Sequence, residues 1–438
     1  MAAVLQAPFL SAYDPVSEAE GSIDPLGLAG TYERLADMML PGIAVRMRRP
    51  RFLTALAVGA HVCRDFEPET LAKDGVSPPY LVFEWWVVEA FARAADQLAE
   101  KGRIPGIQKA QNAIRNGRPL SAPAYLQVPS VFGFTGIFRR LARHTQILTR
   151  DGTLDEAGHQ LVDVWARERG LDGFLYGREG SGAMLREDLR RAVKDGLRDA
   201  HTSHRPRSFW EAIAVHLDPA KPGRKERALL LQLIEDRAGV AEEVRFVTDS
   251  LKRRGGPIDI ADEAKHLQAL QRSAPDRLRS ILTAVHAYES LCRPLTDAFD
   301  LLCYLASQDP ARGVTEDDFA KHRRIAKLTE QLAQALAPAA DNAIIGEVWQ
   351  ERAHVLAVLR EGSTPRSLFK VLMQHHREAQ ARKPPDGKRP WLEEDARGRL
   401  LVRAAYRIDE EPMPRSSYVH DYRLPTLSRF LEDLGAYR

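Results

Sequence analysis

The residues Leu278, Ile281, Val285, Tyr288, Cys292, Leu295, Phe299 and Leu302 follow one another at alternating steps of three and four. Such steps return every side chain to one face of an α-helix, so this stretch predicts a long helix with a continuous apolar seam. A seam of about four heptads cannot be left in water and demands a partner helix. The stripe Ile325, Leu328, Leu332 and Leu336, on a helix begun by Thr315, supplies one within the chain. An internal helical hairpin is therefore favoured over a dimeric coil. Pro294 lies inside the seam and predicts a kink, because proline removes a backbone donor and crowds the preceding turn. Helices expected over residues 344–360 and 364–381 complete a bundle.

At 438 residues, with 44% hydrophobic, 28% charged and 7% aromatic residues, the chain is long enough for two or three domains. The expected fold class is mainly α: a multi-domain helical protein with a winged-helix-like module and a small C-terminal tail containing strands. The expected segments are an N-terminal helical domain over 1–170, a central helical region over 183–254, a bundle over 258–381 and a basic α/β tail over 382–438. The glycine-rich stretch 170–182 marks the first expected boundary. Three cysteines, Cys63, Cys292 and Cys303, show no CxxC spacing. That argues against a disulfide framework or a zinc site and for a reducing, cytoplasmic setting. The N-terminus lacks a basic n-region and a cleavage pattern. The most apolar helix-length stretch, 80–98, carries Glu84, Glu89, Arg93 and Asp96, so no membrane span is expected.

Pro78 and Pro79 open a helix in which Leu81, Trp85, Val88 and Phe91 or Ala92 recur at helical spacing. This is the expected centre of the N-terminal core, with Trp85 and Trp86 read as packing. Ser208 and Glu211 have the spacing of a capping box.

Charge is segregated. Residues 101–150 hold no acid and nine basic residues, Lys101, Arg103, Lys109, Arg115, Arg118, Arg139, Arg140, Arg143 and Arg150, while the whole chain has a net charge of only +3. From Met1 to Val45 the balance is reversed: Asp14, Glu18, Glu20, Asp24, Glu33 and Asp37 face Arg34 alone. Arg46, Arg48, Arg49 and Arg51 cluster at the break made by Pro50. A one-signed stretch interleaved with Tyr125, Phe132, Phe134 and Phe138 has the makeup of a polyanion-binding surface; a basic face that only aids solubility is the plain alternative.

Within the window, 134–144 predicts a helix with Ile137 and Leu141 inward and Arg139, Arg140 and Arg143 outward. Asp151-Gly152 then predicts a hairpin turn, and Thr153 with Glu156 a second capping box. This order of helix, short ribbon and capped helix, with Leu154-Asp-Glu-Ala-Gly158, resembles the winged helix-turn-helix of bacterial regulators. The resemblance covers about forty residues; very short wing strands and Phe132-Gly-Phe134 in place of the polar turn depart from it. It implies that Arg139, Arg140, Arg143 and His144 lie near nucleic acid and Arg150 on the wing, with protein docking as the other use of such modules. More loosely, Phe9-Leu-Ser-Ala-Tyr-Asp-Pro15, Pro79-Tyr-Leu-Val-Phe-Glu-Trp85 and Val131-Phe-Gly-Phe-Thr-Gly136 are similar to segments of uncharacterised bacterial proteins encoded in antiviral defence islands. That likeness implies a subunit working beside a helicase or nuclease.

A second basic cluster, +6 over residues 363–407, includes Arg377, Lys383, Lys388 and Arg389. A turn-rich loop carrying Lys388, Arg389 and Trp391 suits a phosphate backbone with a stacked base, as in single strands; Trp391 as a bundle anchor is the alternative. Residues 400–408 alternate as a strand.

Motifs for catalysis are missing. Gly223-Arg-Lys225 lacks the phosphate-loop frame, no GxGxxG follows a strand and no GxSxG elbow occurs. Asp259, Glu263 and Lys265 imitate a metal-dependent nuclease set but read as helix surface. His375 and His376 are adjacent and diverge on a helix, and His420-Asp421 is a bare dipeptide. No cofactor or metal is implied. The expectation is a cytoplasmic, non-catalytic subunit that binds nucleic acid, DNA before RNA and duplex or single-stranded. Its candidate contacts are Lys109, Arg115, Arg118, Arg139, Arg140, Arg143, His144, Arg150, Lys383, Lys388, Arg389 and Trp391. A protein scaffold without nucleic-acid contact and a cryptic metal-dependent nuclease are the alternatives.

Overall fold

The computed structural model describes residues 24–94, 104–126, 128–237, 239–384 and 386–437. Lys101, Arg103, the acids Asp14, Glu18 and Glu20, the segment 9–15 and the end of the stretch 80–98 lie outside them. The protein is mainly α-helical, with one two-stranded sheet near the C-terminus among the described residues. Two compact units are formed, a larger one of Met39–Ile260 with Arg423–Arg438, and a hairpin unit of Met1–Met38 with Ala261–Tyr422. These units cut across the four expected segments. The glycine-rich stretch 170–182 lies inside the larger unit, because the buried Arg186 guanidinium donates to the carbonyls of Gly173 at 3.0 Å, Phe174 at 2.7 Å and Gly177 at 2.9 Å. Those bonds fold the loop into the core.

The first helix, α1 (Ala29–Met39), precedes the larger unit, whose helices are α2 (Phe52–Cys63), α3 (Pro79–Arg93), α4 (Ile107–Arg115), α5 (Pro129–Phe132), α6 (Phe134–His144), α7 (Glu156–Glu168), α8 (Ser181–Asp199), α9 (Arg207–Leu217), α10 (Arg224–Glu235) and α11 (Ala241–Arg254). Pro79 sits at the first position of α3, where its missing N–H costs nothing. α3 packs against α2, α4, α6, α8 and α9, so it is buried all round rather than on one stripe. Trp86 stacks on Trp210 at 5.3 Å, and Trp85 is fully buried, both as core. α9 begins at Arg207 behind Pro206, so Ser208 is already helical and does not cap it; Glu211 pairs instead with Arg207 at 2.6 Å. α2 is tied to α10 by the buried pair Arg51–Glu226 at 2.8 Å, with Thr54 Oγ1 donating to the same carboxylate at 2.7 Å.

The hairpin unit contains α12 (Ile260–Gln271), α13 (Asp276–Gln308), α14 (Glu316–Ala320), α15 (Ile325–Asp341), α16 (Ala343–Val348), α17 (Arg352–Arg360) and α18 (Pro365–Ala381), then β1 (Leu392–Glu394) and β2 (Leu400–Val402). α13 runs unbroken through Pro294 with its whole seam buried, each large seam residue contributing about 1.5–3 kcal/mol of transfer free energy as an upper bound. Its partner is α15, whose Ile325, Leu328, Leu332 and Leu336 are buried. Thr315 caps only the short α14, so the return arm starts after a break. The helix expected over 344–360 also breaks, at Trp349, which is buried edge-on to Tyr288 at 5.5 Å. The expected strand over 400–408 stops at Val402, pairing Leu392↔Val402 and Glu394↔Leu400. A 3-10 turn over Ala404–Tyr406 follows and brings Tyr406 flat onto Trp391 at 4.3 Å. The last helix, α19 (Leu424–Asp433), belongs to the larger unit; there Phe430 stacks on Phe138 at 6.3 Å.

His61, His375 and His376 are fully buried or nearly so, and burial brings each pKa down to about 4. A histidine that titrates near 6.5 when unfolded therefore binds its proton preferentially in the unfolded chain between pH 6.5 and 4. Stability from these groups is complete above pH 6.5 and lost as pH falls through that window, by at most about 3 kcal/mol each. The fall in thermal midpoint between pH 7 and pH 5 is expected to be smaller in His61→Leu than in the parent protein, measured by calorimetry at matched salt.

Candidate nucleic-acid interface

The basic window is organised around a buried acid on α3. Glu84 receives the Thr135 N–H at 2.8 Å and the Tyr125 hydroxyl at 2.8 Å. A carboxylate thus closes the N-terminus of α6, where free amides and the helix dipole favour negative charge. Gly133 makes room for it, since a Cβ there would collide with the carboxylate. Burial pushes the Glu84 carboxyl above its usual range, against the pull of its hydrogen bonds. It also raises the Tyr125 phenol, helped by the Glu84 charge.

α6 buries Phe134, Phe138, Leu141 and Ala142, with Phe134 and Phe138 against Phe52 at 5.2 and 5.7 Å. Ile137, expected inward, is only half-buried because Phe138 holds that side of the helix. Arg140 and Arg143 are exposed as expected. Arg139 is not: it is half-buried, with its guanidinium over the Tyr80 ring at 5.1 Å. His144 is half-buried beside Gly42, where a Cβ would come within 2.8 Å of its Cδ2.

The hairpin after α6 has one bridge, Leu148↔Leu154, flanked by Thr149 N–H to Thr153 O and Asp155 N–H to Ile147 O, each 3.0 Å. Gly152 occupies the left-handed region at φ +87° and donates back to Thr149 O at 3.2 Å, a three-residue loop with Arg150 and Asp151 at its tip. Thr153 does not cap the next helix, because its hydroxyl pairs with that of Thr149 at 2.8 Å. Asp155 caps α7 instead. Arg143 Nη2 donates to the Arg150 carbonyl at 2.5 Å, which staples helix to hairpin.

Lys109 and Arg115 are exposed on α4, and Arg118 is exposed just beyond it; Arg115 bonds Asn112 at 2.5 Å. Tyr125 meets α3 at Glu84, whereas Arg118 lines a hollow with Glu89, Arg93, Thr202 and His204. Five to nine residues of helix separate those levels, about 7–14 Å of rise. The single window of sequence therefore forms two cationic regions at different levels of α3.

The second cluster, in the hairpin unit, is largely compensated. Arg377 pairs with Glu394 at 2.7 Å, Arg389 with Glu393 at 2.6 Å and Arg399 with Asp395 at 2.6 Å. Lys383 bonds the Asp24 carbonyl, and burial lowers its pKa. Lys388 is half-buried. Trp391, stacked on Tyr406, donates its backbone N–H to His376 Nε2 at 2.8 Å, which anchors the loop to α18. By contrast, Lys109, Arg118, Arg139, Arg143 and Arg150 have no carboxylate within ion-pair distance among the described residues.

A buried polar centre in the hairpin unit was invisible in the sequence. Glu289 accepts from Val419 N–H at 2.6 Å and Tyr422 Oη at 3.0 Å and pairs with His420 Nδ1 at 2.6 Å, while His420 stacks on Tyr32 at 4.2 Å. Glu263, expected on a helix surface, is buried and accepts the Tyr422 N–H at 2.9 Å. The partners lie more than a hundred residues apart, so no spacing announces them. Among the described residues no group of three or more His, Cys, Asp or Glu side chains is placed to hold a metal, and no helix is long and apolar enough to cross a membrane. No family model, curated protein or solved structure matches the chain.

Replacing Glu84 by Leu leaves the buried Tyr125 hydroxyl and Thr135 amide without an acceptor, at about 1–3 kcal/mol per group. The variant is expected to lose about 2–4 kcal/mol in urea unfolding, with hydrogen exchange at Thr135 accelerated ahead of the rest of α6.

Proposed function

We propose that the protein binds nucleic acid, DNA in particular, as a non-catalytic subunit of a bacterial antiviral defence assembly. The observation that carries this reading is the acid-free helix α6 and the hairpin stapled to it, whose exposed Arg143 and Arg150 have no carboxylate within ion-pair distance among the described residues, the exposed Asp151 at the hairpin tip included. The order of helix, hairpin and capped helix resembles that of a winged helix, and on that resemblance α6 would face a groove and Arg150 phosphate. With Arg139 turned inward, the phosphate-facing set is Arg140, Arg143 and Arg150, supplemented by Lys109, Arg115 and Arg118. Contacts of this kind position the protein on the backbone rather than read bases.

A second reading, docking of another subunit such as a helicase or nuclease, is favoured by one feature. Val128, Val131 and Phe132 are exposed beside α6, with Arg46 over the Phe132 ring at 4.5 Å.

Titration of labelled duplex and single-stranded DNA separates the two. Affinity is expected to fall steeply with salt, and the triple variant Arg140→Glu, Arg143→Glu, Arg150→Glu to bind at least tenfold more weakly, with the salt slope reduced by about 3. Unchanged binding by that variant overturns the α6 placement. Absence of binding at low salt overturns the nucleic-acid reading and leaves the docking surface, which Phe132→Asp addresses.

A further inference from the structure

Arg139 faces a cavity of about 250 Å³ lined by residues of α2, the start of α3, α6 and the hairpin. Its inner wall is buried and apolar, with Leu56, Gly59, Pro79, Phe83 and Leu148. Its rim carries Arg64, Glu67 and Asp151, all exposed. Arg139 lies between wall and rim, half-buried over Tyr80 and against the hairpin turn, where a Cβ on Gly152 would come within 2.8 Å of Nη2.

The two guanidinium groups here differ. Arg64 is paired with Asp65 at 3.3 Å, whereas Arg139 has no carboxylate partner among the described residues, Glu67 and Asp151 included. A guanidinium stays charged at every accessible pH, and its field is screened less beside an apolar wall than those of the exposed rim acids. Charge and shape together select an anion joined to an apolar body. An apolar cavity of about 150 Å³ already takes up benzene, so this one has room for a fused ring or a short hydrocarbon chain.

We propose that this cavity is a binding site for a small apolar carboxylic acid, with its carboxylate on Arg139 and its hydrocarbon portion against Phe83, Leu56 and Leu148. The acid completes the charge pair that the fold leaves open and displaces water from apolar surface. The inference is independent of the nucleic-acid reading, since it concerns the protein alone.

The test is calorimetric titration of the full chain with 2-naphthoate, phenylacetate and hexanoate, each beside its primary alcohol. Saturable one-to-one binding of at least one acid is expected, at least tenfold tighter than its alcohol. Arg139→Gln should weaken it at least tenfold, and Ala60→Leu, which fills the cavity from α2, should abolish it. Equal affinity for acid and alcohol, unchanged affinity in Arg139→Gln, or no saturable binding of any of the three acids overturns the proposal. Arg139 makes no hydrogen bond among the described residues, so Arg139→Gln decides the question even where Ala60→Leu fails to fold.

Discussion

A carboxylate buried in the middle of a helix is costly unless several donors surround it, and the larger unit is arranged so that its acids meet that condition. Glu84 is the most consequential. Its place on α3 is forced by the flanking apolar residues, which bury the helix on every side, and its oxygens then require donors. Thr135 and Tyr125 supply them, which pins the start of α6 and the loop before it to one level of α3. Glu89 does the same one stretch further along, receiving Thr202 Oγ1 at 2.5 Å and pairing with Arg93 at 2.6 Å. Glu226 repeats the device between α10 and α2, and Glu289 does so in the hairpin unit. Buried acids hold irregular backbone in place where helix packing alone would leave it undetermined.

The charge distribution follows from this. With the inward acids engaged in these clamps, the loop before α6 and α6 itself carry only basic charge on the outside. α6 has a carboxylate at its N-terminus and Arg143 and His144 in its last turn, both matched to the helix dipole. The hairpin then returns along α6, and the bond from Arg143 to the Arg150 carbonyl makes helix and turn one cationic element. Arg139 is drawn inward, with its guanidinium over the Tyr80 ring and beside the cavity.

The helical elements were legible where periodicity was strong and uninterrupted. The seam from Leu278 to Leu302 announced α13 and its partner stripe because a step of three or four has only one geometric meaning. Pro79 announced the start of α3 for a local reason, its missing donor. Boundaries failed where a side chain distant in sequence decided them. Trp349 leaves the helix to reach Tyr288, and Tyr406 turns aside to cover Trp391. Among the candidate site residues, Arg140, Arg143 and Arg150 were read correctly as outward because helix phase and turn position set their direction. Arg139 was misplaced because phase says nothing about an aromatic ring fifty-nine positions earlier in the chain.

The sequence by itself determined the helical class, the internal hairpin, the central buried helix and the segregation of basic residues into one window, since each depends on short-range spacing or simple composition. Only the tertiary structure decided which cations are compensated, that one window becomes two regions at different levels of α3, and that Glu84, Glu263 and Glu289 are inside rather than outside. Those outcomes depend on donors and apolar walls contributed by remote segments, and the cost of burying a charge is a property of its full surroundings rather than of its neighbours along the chain.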